Sequence, residues 1–378
     1  MAPVTTATPA RSPLPVLEGT RPTIVRGTDR RITFGGVIAA AALLGLAGLS
    51  ALGSTTGGTV WLPLHLAMAG AAGTAISSVL PFFTTALAQV APARPGLRIA
   101  SIGLVGGGSI LAGIGMGGAG SALAAFGGAT YVAGLATLAV TAFLPLRSAI
   151  GFRLRLVHIA YAVALGQVAT GVALATAMLA GWSPVAAAWV AIKPAHAWLN
   201  VFGFATLVIA ASLVHLAPTV AGARIRPRRS ADAGLLCLMV AAPLVALGFA
   251  MGWDAAVRLG AIAELLGAAA LLAHGVSVQR DRGVWTTDAG WHRFAGLSLL
   301  VAPGWLLLTV AIAAGRILWL GASPDAWSAA LIAIPLVAGF IGQGSSVHGR
   351  ISCRRLGRAT SPPTRFSGAG WDGRPHPA

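Results

Sequence analysis

Long apolar runs separated by short polar gaps set the pattern of this chain. A helix needs about 20 apolar residues, at a rise of roughly 1.5 Å each, to cross a hydrocarbon layer. On that measure about ten membrane spans are predicted, near residues 32–53, 61–89, 99–117, 120–145, 156–180, 195–217, 234–252, 256–276, 294–314 and 327–347. The expected fold class is an all-α, polytopic transmembrane helix bundle over residues 32–347. Residues 1–31, rich in Pro, Thr and Arg, and residues 348–378, basic and without periodicity, read as disordered tails. The first stretch lacks the short apolar core and small-residue cleavage site of a secretory signal, so the first span is expected to stay as an anchor.

The gaps alternate in charge. Those after even-numbered spans carry Arg94 and Arg98, then Arg147, Arg153 and Arg155, then Arg224, Arg226, Arg228 and Arg229, then Arg280, Arg282 and Arg293, and both tails join that side. Of the 26 Lys and Arg residues only Lys193, Arg258 and Arg316 fall on the other. Positive charge gathers on the cytoplasmic side of membrane proteins, so both termini are expected in the cytoplasm and the protein multi-pass in the plasma membrane. A miscounted span would break the alternation downstream of it, so the charges check the segmentation.

Composition narrows the class further. With 56% hydrophobic residues, 9% charged and a mean hydropathy of +0.81, a chain of 378 residues is too apolar to be a water-soluble domain. The net charge of +17 sits in short juxtamembrane clusters suited to anionic headgroups of the lipid bilayer and gives no nucleic-acid surface. Cys237 and Cys353 form neither a disulfide framework nor a thiolate metal site. The glycine run at 106–108 has no following Lys-Ser or Lys-Thr and is no phosphate loop. Together with Gly70, Gly73, Gly103, Gly113 and Gly127 it reads as close helix packing. Trp61, Trp182, Trp253, Trp319 and Trp327 near one boundary, with Trp285 and Trp291 near the other, read as interfacial belts.

Polar residues inside the spans are costly unless paired, ligated or near water, and they carry the functional information. On the arginine-poor side stand His65 in the second span, Lys193, His196 and Asn200 at the start of the sixth, and Glu264 deeper in the eighth. Spacings of three and seven residues would align Lys193, His196 and Asn200 on one helix face, unless Pro194 restarts the helix between them. His65 and His196 each lie about a turn below the surface, where two imidazoles can reach opposite faces of a porphyrin or share a copper ion. A second set, His158, His215, His274, His292 and His348, lies near the arginine-rich side. Histidine there is commonly interfacial with a wet polar tip, and a haem or metal site is the competing reading. Glu264, amid Ile262, Ala263, Leu265 and Leu266, either relays protons or binds a cation, or serves structurally by pairing with Lys193 or Arg258 or by hydrogen-bonding a neighbouring helix.

The run at 194–218, PAHAWLNVFGFATLVIAASLVHLAP, resembles the helix bearing haem-ligand histidines in subunit I of haem–copper oxidases and in nitric oxide reductases, with His196, Asn200, Gly203 and Pro218 matching in order. LHLAMAGAAGTAISSVLPFFTTAL, from Leu64 to Leu87, resembles the other haem-ligand helix of that superfamily through His65 and Pro81. The likeness extends to NnrS-type haem- and copper-containing membrane proteins and to actinobacterial membrane proteins, some carrying copper-oxidase domains, and covers two or three of about ten helices. It implies axial haem ligation by His65 and His196. Pro194 and Ala195 stand where oxygen-reducing members place a second histidine, and no three-histidine copper set is found. The implied activity is therefore electron transfer or gas response with a redox partner protein, and no catalytic residue is assigned. The alternatives are a small-solute or ion transporter using Lys193 and Glu264, and a membrane scaffold without cofactor. A topology reporter fused to either end is expected to be active only in its cytoplasmic form; activity at one end in the exported form would give an odd span count.

Overall fold

Each apolar run forms a helix where the pattern places it. The computed structural model describes residues 26–54, 61–149, 154–283 and 291–343. Among them ten helices are long and apolar enough to cross a membrane. We number them α1 (Gly27–Gly53), α2 (Trp61–Ala88), α3 (Pro95–Ala119), α4 (Ser121–Ser148), α5 (Arg155–Leu179), α6 (Trp189–Val220), α7 (Arg229–Met251), α8 (Asp254–Arg280), α9 (Gly296–Leu320) and α10 (Pro324–Ile341). No strand occurs among the described residues. His348 and the remainder of both tails lie outside them, and His292 sits on a described helix whose side chain there is not described.

Sequential neighbours pack as hairpins, closest in α3 with α4 and in α7 with α8. Glycine makes the approach possible. A Cβ on Gly127 would stand 2.3 Å from the Ala112 backbone nitrogen, and one on Gly108 would stand 2.6 Å from that of Tyr131. Gly103 and Gly107 of the same run face open space and do no such packing.

Helix α6 is the axis of the bundle: 78% of its most apolar stretch is buried, against 22% for α1. It contacts α5, α7, α8 and α9 along its length and meets α2 through the π-helical stretches Leu66–Ala72 and Val201–Thr206. Pro194 does not restart α6, since the helix begins at Trp189 and runs through the proline.

Arg98 corrects the charge map. Helix α3 starts at Pro95, a residue suited to the first turn because its missing N–H has no helical partner there, so Arg98 lies inside the helix. It is 1% exposed, pairs with Asp29 of α1, and donates from Nη2 to Thr33 Oγ1 at 2.9 Å and to the Ser78 carbonyl at 3.2 Å. It clamps α1 to α2 and α3, so it is a packing residue as well as a topological charge. Gly127→Val is expected to destabilise the detergent-solubilised protein by about 1–3 kcal/mol through overpacking, and Gly107→Ala to leave it within about 0.5 kcal/mol, read by thermal unfolding.

Candidate functional site

Helices α2 and α6 deliver one imidazole each to the same level on the arginine-poor side. His65 leaves α2 just before its π-helical stretch, and His196 leaves α6 one turn before the other. The ring centroids stand 6.4 Å apart with planes 13° from parallel. Trp61 stacks on His65 at 4.0 Å, and Trp189 lies 5.8 Å from His196.

The hydrogen bonds fix which nitrogen of each ring is bare. His65 Nδ1 lies 2.8 Å from the Trp61 carbonyl, and His196 Nδ1 lies 2.8 Å from the Gly171 carbonyl of α5. A carbonyl oxygen only accepts, so each Nδ1 carries the proton and each Nε2 presents a lone pair. Among the described residues neither Nε2 has a hydrogen-bond partner. Metal-binding histidines are oriented in this way by a carbonyl on the other ring nitrogen. Two Nε2 atoms at about 2.0–2.1 Å from one metal, with about 1.1 Å more from each nitrogen to its ring centre, separate the centroids by roughly 6.3 Å. That length requires both Nε2 atoms on the line between the rings; the observed centroids are 6.4 Å apart with near-parallel, stacked planes. Asn200, a turn below His196, donates from Nδ2 to the His196 carbonyl at 2.5 Å; with the His196 Nδ1 proton given to Gly171, the amide makes no hydrogen bond to that ring nitrogen.

The donor set is small. Among the described residues no three His, Cys, Asp or Glu side chains gather closely enough to hold a metal ion. An ion bound only by side chains usually takes more ligands than two, whereas haem brings four equatorial nitrogens and needs two axial ones. His65 and His196, both half-buried, thus stand as a pair of candidate ligands without a third among the described residues.

The other expected residues are placed elsewhere. Lys193 is exposed while His196 and Asn200 are half-buried, so the anticipated common stripe divides. Glu264 is 0% exposed and forms no ion pair with Lys193 or Arg258; Arg258 instead pairs with Asp254 at 3.6 Å. The Glu264 carboxyl faces the Trp198 indole N–H, though neither group makes a hydrogen bond of normal geometry.

His158, His215 and His274 depart from the wet interfacial placement expected of them. All three are buried because their helix faces turn toward other spans. His158 Nε2 lies 3.3 Å from the Thr84 carbonyl of α2, and the His215 ring meets Phe83 edge-on at 5.3 Å. His274 lies against the Val214 backbone and walls a small cavity with Leu213, Ala217, Pro303 and Phe340, with room for about one water molecule.

Sequence reasoning missed the polar file joining the two levels. Gln167 of α5 fits the notch at Gly203 and donates to the Met239 carbonyl at 3.0 Å, and farther along Tyr161 bonds Ser212 at 3.0 Å. Gln167, inside an apolar span, was the one signal available. No family model, curated protein or solved structure matches this chain. Because a Cβ on Gly203 would stand 2.0 Å from Gln167 Oε1, Gly203→Ala is expected to cost about 1–3 kcal/mol in thermal unfolding. Adding Gln167→Ala should recover most of that loss.

Proposed function

We propose that this integral membrane protein binds haem between His65 and His196 and serves electron transfer or gas response, with the arginine-rich face and both termini in the cytoplasm. The observation that carries the reading is the matched pair of Nδ1 hydrogen bonds, each to a backbone carbonyl, with the ring centroids 6.4 Å apart. When bound, haem would supply a reversible one-electron couple.

The chain's own contribution is orientation. Carbonyls of Trp61 and Gly171 lock both tautomers, Asn200 bonds the His196 main-chain carbonyl, and the indoles of Trp61 and Trp189 pack beside the imidazoles. Lys193, exposed three residues from His196, offers a cation on that side for carboxylate groups of a ligand. His65 and His196 would both hold the haem, and a haem so held would supply electron transfer rather than reduction of a gaseous substrate. Its redox partner would approach from the side bearing Trp61 and Trp189.

The visible spectrum of protein purified from haem-supplied cells tests this. A Soret band with the split α and β bands of a six-coordinate haem is expected. His65→Ala and His196→Ala should each abolish the six-coordinate form while the protein still elutes as one species from size exclusion. His274→Ala should leave the spectrum unchanged. A wild-type protein without a Soret band but with one copper per chain would replace haem by a shared copper ion, and absence of both would end the cofactor reading.

A further inference from the structure

On the arginine-rich face, the segment after α6 and the end of α8 are tied together. Gly283 N donates to the Ala221 carbonyl at 2.9 Å, while Asp281 Oδ2 accepts from Arg226 Nη2 at 2.6 Å and from Arg228 Nη2 at 2.7 Å. Arg228 also donates from Nη1 to Ser277 Oγ at 2.7 Å and is mostly buried. The Arg228 hydrogen bond, helped by the nearby charge of Arg226, holds the Asp281 carboxyl below its ordinary range, so it stays charged and fixed.

Six arginines stand on the α6–α7 connection, the start of α7 and the segment ending α8, Arg224, Arg226, Arg228, Arg229, Arg280 and Arg282, against two carboxylates, Asp232 and Asp281. Asp281 answers two of the six, and Arg224, Arg229, Arg280 and Arg282 remain exposed. Between Arg224 and Arg226 stands Ile225, 56% exposed, an apolar side chain amid cations. The cluster lies where α6, α7 and α8 end, at headgroup depth for helices that span the bilayer. Fixed guanidiniums suit phosphate oxygens, which they bind with paired hydrogen bonds, and a neighbouring apolar side chain suits the start of an acyl chain.

From this arrangement we infer that the α6–α7 connection and the end of α8 form a site for one anionic phospholipid, its phosphate held by Arg224 and Arg282 with Ile225 against its glycerol and acyl region. The site is independent of any cofactor. The Arg228–Asp281–Arg226 set shapes it from beneath and leaves the outer arginines for the ligand.

Native mass spectrometry and thermal unfolding of the detergent-purified full chain, titrated with phosphatidylglycerol or with phosphatidylcholine of the same acyl chains, test it. Phosphatidylglycerol should stay bound at one per chain and raise the unfolding midpoint, and phosphatidylcholine should do neither. Arg224→Gln with Arg282→Gln alters exposed side chains outside the Asp281 pairs and should weaken phosphatidylglycerol roughly 30-fold, about 2 kcal/mol at about 1 kcal/mol per arginine. Arg147→Gln with Arg155→Gln, two exposed arginines of another connection, should leave the affinity unchanged. Ile225→Ser should weaken the lipid as well. Equal retention of phosphatidylcholine, equal loss in the Arg147 and Arg155 variant, or full stabilisation by inorganic phosphate alone would each overturn the assignment.

Discussion

Polar groups inside a hydrocarbon layer must find their partners within the protein, and α6 carries more of them than it can show to lipid. His196, Asn200, Thr206, Ser212 and His215 all lie on this one helix, so it is driven to the middle of the bundle, where α5, α7, α8 and α9 enclose it. The other helices are arranged around that need. α5 supplies the Gly171 carbonyl, Gln167 and Tyr161; α2 supplies His65; α8 supplies Glu264 beside Trp198. α1, with few polar groups to satisfy beyond the Asp29–Arg98 contact, is left at the periphery with Phe34, Ile38, Leu49 and Leu52 turned outward.

The backbone architecture was legible in the sequence because a span is a property of length and hydropathy, which one chain displays openly. Every predicted span coincides with an observed helix, usually within a few residues at each end. The ends that moved did so for local reasons. α3 begins at Pro95 and draws Arg98 inside, and α6 begins at Trp189 and carries Pro194 within it, going without the bond that position would otherwise make to the Val190 carbonyl.

The interior was legible only in part, because facing direction depends on which helices are neighbours. The meeting of His65 and His196 could be anticipated from depth, and the structure brings the two rings together. The burial of His158, His215 and His274 could not, since nothing local to Tyr161 or Ser212 announces which faces of α5 and α6 meet. The hydrogen bonds that settle the imidazole tautomers are equally invisible in sequence, for both acceptors are main-chain carbonyls and one belongs to a glycine. Glu264 shows the opposite case. Its cost was evident from its neighbours, and of the structural partners expected for it neither cation pairs with it, while the group it faces is an indole on a neighbouring helix.

The π-helical stretches Leu66–Ala72 and Val201–Thr206 carry a consequence for how this protein tolerates change in length. Such a stretch accommodates one residue more than an α-helical turn of the same rise. Removing a single residue from either would let the wide turn relax to α-helix, and the two flanking parts of the span would keep their facing. In α2 His65 would still face α6 while Thr84 stayed against His158. A deletion in an α-helical part of the same span has no such slack and would turn one end by about 100° relative to the other, so the π-helical stretches are where these two helices best absorb a change in length.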